Sequence, residues 1–71
     1  MSLFMDRVIR NAKNKRYLTP NGKWVRDRTA AQTFYFAADA RAFCLEHGIR
    51  ADVEGVLFYG TFETVFDLFG N

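Results

Sequence analysis

Apolar and polar residues alternate along residues 4–10, with Phe4, Val8 and Arg10 in one row and Met5, Arg7 and Ile9 in the other, which predicts a strand. The polar connection Asn11-Ala12-Lys13-Asn14-Lys15 leads into the β-prone run Arg16-Tyr17-Leu18-Thr19, giving a hairpin. Thr19-Pro20-Asn21-Gly22 then sets Pro where its fixed φ opens a turn and Asn-Gly where positive φ is tolerated. The return strand is Lys23-Trp24-Val25-Arg26, so the first three strands form an antiparallel meander.

The period changes after residue 28. Thr29-Ala30-Ala31-Gln32 has capping-box spacing and predicts one helical turn, followed by a short extended stretch, Thr33 to Phe36, that carries Phe34 and Phe36 toward the core. A helix follows from about Ala38 to His47 and stops at Gly48, which can take the left-handed conformation and let Ile49 fold back on Phe43 or Cys44. Ala40, Phe43, Cys44 and His47 share the stripe that faces the sheet, while Ala38, Ala42 and Leu45 form a weaker patch on the other side. Beyond the link Arg50-Ala51-Asp52, Val53 to Tyr59 reads as a strand. Phe62 to Phe69 fits both strand and helical spacing, and its Val, Thr and Phe content favours a strand. The expectation is a small two-layer α+β domain spanning residues 1–71, of order β-β-β-α-β with an extra C-terminal strand. One helix lies on one face of an antiparallel sheet of four to five strands.

Composition narrows the possible roles. Eight Phe, three Tyr and one Trp in 71 residues, with 49% apolar content, predict a folded chain, and one of this length has a single, marginal core. Self-association is therefore expected. Cys44 is the only cysteine, so no internal disulfide forms, and a reducing, cytoplasmic setting is the natural one. Asp6, Arg7 and Arg10 interrupt the apolar patch Leu3-Phe4-Met5 before a signal core can form, and no membrane association is predicted. The succession Tyr17-Leu18, Gly22-Lys23-Trp24, Ala31…Phe34 and Ala40…Phe43-Cys44 loosely resembles small bacterial and prophage domains. Its elements are turn and core positions that imply no activity and identify no family.

Candidate chemistry is sparse. Cys44 and His47, three residues apart, are the one nucleophile-and-base pairing available, but burial on the helix stripe and termination of the helix explain them better. Asp52, Glu54, Glu63 and Asp67 match no calcium-loop spacing and read as a solvated polar face, and the glycines build no phosphate loop. No catalytic residue, metal, cofactor or small-molecule ligand is predicted. Charge is more informative: residues 1–28 hold eight basic against two acidic side chains, a net +6, and residues 29–71 hold two against six, a net −4.

Two readings follow. The first is a non-catalytic interaction module that forms a homodimer or meets an acidic protein, with Leu45, Phe62, Phe66 and Phe69 as its apolar interface. The second is a single-stranded nucleic-acid binder in which Arg10, Lys13, Lys15, Arg16, Lys23 and Arg26 track phosphates and Tyr17 and Trp24 stack on bases. The same basic strip serves an acidic protein partner in the first reading. A small Cys/His enzyme ranks last.

Overall fold

The computed structural model describes residues 5–70, so Phe4 of the expected first strand and Leu3 of the apolar patch lie outside the described residues. Strands β1 (Met5–Asn11), β2 (Tyr17–Leu18) and β3 (Trp24–Val25) are followed by a 3₁₀ turn at Arg28–Ala30. Helix α1 (Ala37–Glu46) and strands β4 (Val53–Tyr59) and β5 (Phe62–Phe66) complete the chain. The five strands lie in the order β3-β2-β1-β4-β5, all neighbours antiparallel. This is the α+β architecture expected from the pattern; residues 62–66 of the C-terminal segment form a strand, while Asp67, Leu68 and Phe69 lie beyond its end.

Local chemistry accounts for the reversals. Asn11 Oδ1 accepts from the amides of Lys13 and Asn14, and Lys15 takes φ 63° as the chain turns into β2. Between β2 and β3 the Gly22 amide donates to the Thr19 carbonyl at 2.9 Å and Gly22 takes φ 80°. Pro20 and Asn21 therefore form the turn, and glycine alone supplies the left-handed residue that ends it. At the end of α1 the Ile49 amide donates to the Cys44 carbonyl (2.8 Å) and the Gly48 amide to the Leu45 carbonyl (3.2 Å), with Gly48 at φ 68°. These are the paired bonds that cap a helix through a left-handed glycine.

The single turn near residue 29 forms, but with a different cap. Asp27 Oδ1, rather than Thr29, accepts from the Thr29 amide and hydroxyl, and Gln32 donates to the Thr33 carbonyl instead of reaching back. Asp27 is the residue directly before the turn, and its carboxylate accepts from the amide two residues on, so the turn begins at Arg28 rather than after Thr29. Phe36 also departs from expectation: it is the helix N-cap, 63% exposed, and its ring stacks on Tyr35 with centroids 4.8 Å apart. Only Phe34 of that pair turns inward, against Phe43.

Both faces of the sheet carry apolar clusters. On the helix side Ile9 and Leu18 pack with Ala40, Cys44 and Leu68, flanked by Trp24, Phe34, Phe66 and Phe69. On the opposite side Val8, Val56 and Phe58 pack with Ala31 and Tyr17. The connection from β3 covers part of that second face, with the Arg28 guanidinium carbon 4.1 Å from the Phe58 ring centroid. It then returns to pair Phe34 with Arg7 beside β1. The chain thus supplies some cover for a face that one helix cannot reach.

Gly55 on β4 is the tightest point of the helix-side layer. Its partner across the ladder is Phe66, and a Cβ at residue 55 would lie 2.3 Å from that ring. Substituting Gly by Ala in a strand ordinarily gains stability by restricting the unfolded chain. Here overpacking reverses the sign, so Gly55→Ala is expected to lower the unfolding free energy by about 1–3 kcal/mol in a urea titration. An unchanged or raised midpoint would contradict the packing of Phe66 on Gly55.

Candidate functional site

The register of β1 against β4 sets Arg10 opposite Glu54, on the face that also carries Val8 and Val56. Arg10 is 8% exposed, and its Nε and Nη2 each lie 2.6 Å from Glu54 Oε2 while Nη1 donates to Glu63 Oε2 at 2.9 Å. One side chain therefore joins β1, β4 and β5. Lys15 Nζ adds a contact to Glu54 at 3.4 Å, and Lys13 pairs with Asp52 at 3.5 Å.

Burial alone would lower the Arg10 pKa, but its hydrogen bonds to Glu54 and Glu63 outweigh that cost and hold it above the ordinary arginine value. Burial likewise pushes the Glu54 carboxyl up, and the hydrogen bonds and charges of Arg10 and Lys15 more than reverse this, leaving it below the ordinary glutamate value. Asp27 is also held low, by the hydroxyl and amide of Thr29.

This network reapportions the basic residues that the sequence groups together. Arg10, Lys13 and Lys15 each contact carboxylates of the acidic half, but of these three only Arg10 is buried with its partners, and the two lysines pair at the exposed surface. Arg16, Lys23 and Arg26 form no ion pair among the described residues and remain around the β2–β3 hairpin. The two rings assigned to base stacking are drawn inward: Trp24 packs against the Ile9 and Leu18 cluster, and Tyr17 lies 6.3 Å from Phe58, centroid to centroid.

The carboxylates expected on a solvated face are mostly occupied. Asp52, Glu54 and Glu63 have cationic partners, and Asp67 Oδ1 accepts from the Phe69 amide. No group of three potential ligands is arranged to hold a metal ion among the described residues. Cys44 is fully buried, and burial pushes its thiol pKa up, away from the thiolate that a nucleophile needs. His47 stacks on Phe43 at 4.2 Å, and its Nδ1 lies 2.9 Å from the Phe43 carbonyl, as a helix-terminating histidine would.

Of the expected apolar interface, Leu45 and Phe62 are exposed, whereas Phe66 and Phe69 pack against the helix-side core. A larger apolar surface lies at the end of the sheet beyond the start of α1. Met5, Tyr59 and Phe62 are successive partners across β1, β4 and β5, and so share one face. Phe62 is 74% exposed and Tyr35, stacked with Phe36, is 78% exposed. An open cleft of about 550 Å³ lies here, between Met5, Arg7, Phe34, Tyr35 and Tyr59, with Asp6 and Thr33 also on its wall. Arg7 Nη1 donates to the Tyr35 carbonyl at 2.7 Å, which holds the guanidinium in the cleft wall with no carboxylate partner among the described residues.

Sequence reasoning overlooked Tyr35, Phe36, Met5 and Tyr59 as surface residues. The available signal was positional: Phe36 directly precedes the helix, where an N-cap side chain need not follow the alternation of the strand before it. No helix of the described residues is long and apolar enough to cross a membrane. No family model, curated protein or solved structure matches the chain.

The Glu54 contribution has a defined pH sense. Its folded pKa lies below the unfolded one, so the stabilisation is complete above the unfolded value of about 4.3 and disappears as pH falls through the folded value. Unfolding free energies measured from pH 7 downward should decline below about pH 4.5, and Glu54→Gln should flatten that decline. Identical slopes for the two proteins would show that Glu54 titrates normally in the fold.

Proposed function

We propose that the protein is a non-catalytic interaction module that receives an acidic protein segment bearing an apolar anchor at the Met5, Tyr35, Phe36 and Tyr59 surface. The cleft lined by Met5, Arg7, Phe34, Tyr35 and Tyr59 is the observation that carries this reading, because it sets the exposed rings of Tyr35 and Tyr59, with Phe36 stacked on Tyr35, beside the Arg7 guanidinium, which has no carboxylate partner among the described residues. Aromatic side chains and arginine are the groups that contribute most to protein interfaces. Arg16, Lys23 and Arg26 add unpaired positive charge, which speeds encounter with an acidic partner more than it tightens the complex.

The nucleic-acid reading keeps the same three hairpin cations but has a weaker stacking platform, since Tyr17 and Trp24 are half-buried against the two core clusters. Protein contact is therefore the better fit to this surface.

Selection from a random-peptide library displayed on phage, with the folded protein as bait, separates the two. The expected binders carry an aromatic or large aliphatic residue beside Asp or Glu. Their affinity should drop about tenfold or more in Tyr35→Ser and Arg7→Glu, as for loss of an interface anchor, with the far-ultraviolet circular dichroism unchanged. No selectable binder would overturn the proposal. So would tight, salt-sensitive binding of a mixed-sequence single-stranded oligonucleotide that Arg16→Glu and Arg26→Glu abolish.

A further inference from the structure

We propose that β5 pairs with the β5 of a second copy, antiparallel about a two-fold axis through Thr64, so that two five-stranded sheets become one. The inference concerns the sheet edge and stands independently of the docking surface around the cleft. Three observations on β5 support it: its main-chain directions, the whereabouts of its one charge, and the exposure of its rings.

Gly60 and Thr61 form a two-residue turn with Gly60 at φ 60°, closed by the Tyr59–Phe62 pair. In such a hairpin the closing pair exchanges main-chain hydrogen bonds, and bonded and non-bonded pairs then alternate. Phe62, Thr64 and Phe66 therefore bond inward to β4, and the amides and carbonyls of Glu63 and Val65 point away from the sheet. β5 is the last strand in the sheet order, so nothing in the sheet receives them. A two-fold axis at Thr64 sets Glu63 of each copy opposite Val65 of the other and satisfies all of these groups. Thr64 then faces its own equivalent in a non-bonded pair.

Natural edge strands are usually guarded by lysine, proline, a bulge or an inward-pointing charge. β5 has the sequence Phe-Glu-Thr-Val-Phe, with neither lysine nor proline, and pairs with β4 through five consecutive residues without a bulge. Its one charge, Glu63, is held by Arg10 at 2.9 Å. Two copies therefore approach without opposed free carboxylates. The same register sets the exposed ring of Phe62 beside Phe66 of the other copy, on the helix side of both sheets. A strand from an unrelated protein would satisfy the main chain equally, but this pairing also matches Phe62 to Phe66 and Thr64 to itself. The far edge, β3, has only two residues, so the assembly closes at two copies.

Cysteine cross-linking reads the register directly. Thr64→Cys should oxidise rapidly to a covalent dimer, because residues on the axis face each other at disulfide distance, whereas Phe62→Cys should not. Cys44 stays in place, being fully buried. Sedimentation equilibrium of the unmodified chain should give twice the 8.2 kDa monomer mass. Val65→Lys should weaken association about tenfold or more by guarding the edge, with circular dichroism reporting whether it remains folded. A strictly monomeric chain at the highest attainable concentration, equal cross-linking at residues 62 and 64, or a folded Val65→Lys that still dimerises would each overturn the pairing.

Discussion

The buried guanidinium of Arg10 is the constraint around which the sheet is arranged. A cation this deeply covered is tolerated only when its hydrogen-bonding and charge requirements are met at once, and Glu54 and Glu63 meet them from two successive strands. Those partners exist only if β4 runs antiparallel to β1 in the observed register and β5 folds back along β4. A slip of one residue would turn Glu54 to the other face and leave Arg10 without its principal partner. The ion pair adds less net stability than its geometry suggests, but it penalises every alternative register heavily.

Function follows from the same arrangement. The chain looks bipolar when read end to end, yet β1 and β4 lie side by side, and the basic half meets the acidic half within one molecule. Among the described residues, Arg16, Lys23 and Arg26 around the β2–β3 hairpin, Arg7 in the cleft, and Arg28, Arg41 and Arg50 elsewhere form no ion pair, and several large apolar side chains stay exposed. The ten-residue helix and the connection from β3 cover parts of the two sheet faces, and among the described residues Tyr35, Phe36, Tyr59 and Phe62 stay exposed. Recognition through rings and sheet edge is the reading we propose for this arrangement.

Much of the local structure was legible because it is specified within a few residues. Pro20 and Gly22 announced the second hairpin, Gly48 the end of the helix with Ile49 returning to the core, and the Val and Thr of the last segment its extended form. The features that depend on partners distant in sequence were not legible in the same way. Nothing near Arg10 indicates that Glu54 and Glu63 wait 44 and 53 residues on, so the cation read as a surface charge. Phe66 read equally as interface or core until the ladder brought it over Gly55. Phe36 was misread because a strand-like period was carried one residue too far, into a helix cap.

A double-mutant cycle measures whether the opposite charges of β1 and β4 are matched inside the fold through Arg10. Arg10→Met, Glu54→Gln and the double variant would be compared with the unmodified protein by urea unfolding. The effects of the single changes should not be additive, with a coupling energy of roughly 1–3 kcal/mol between the two sites. Additive effects, with each change costing no more than an ordinary surface substitution, would contradict that matching.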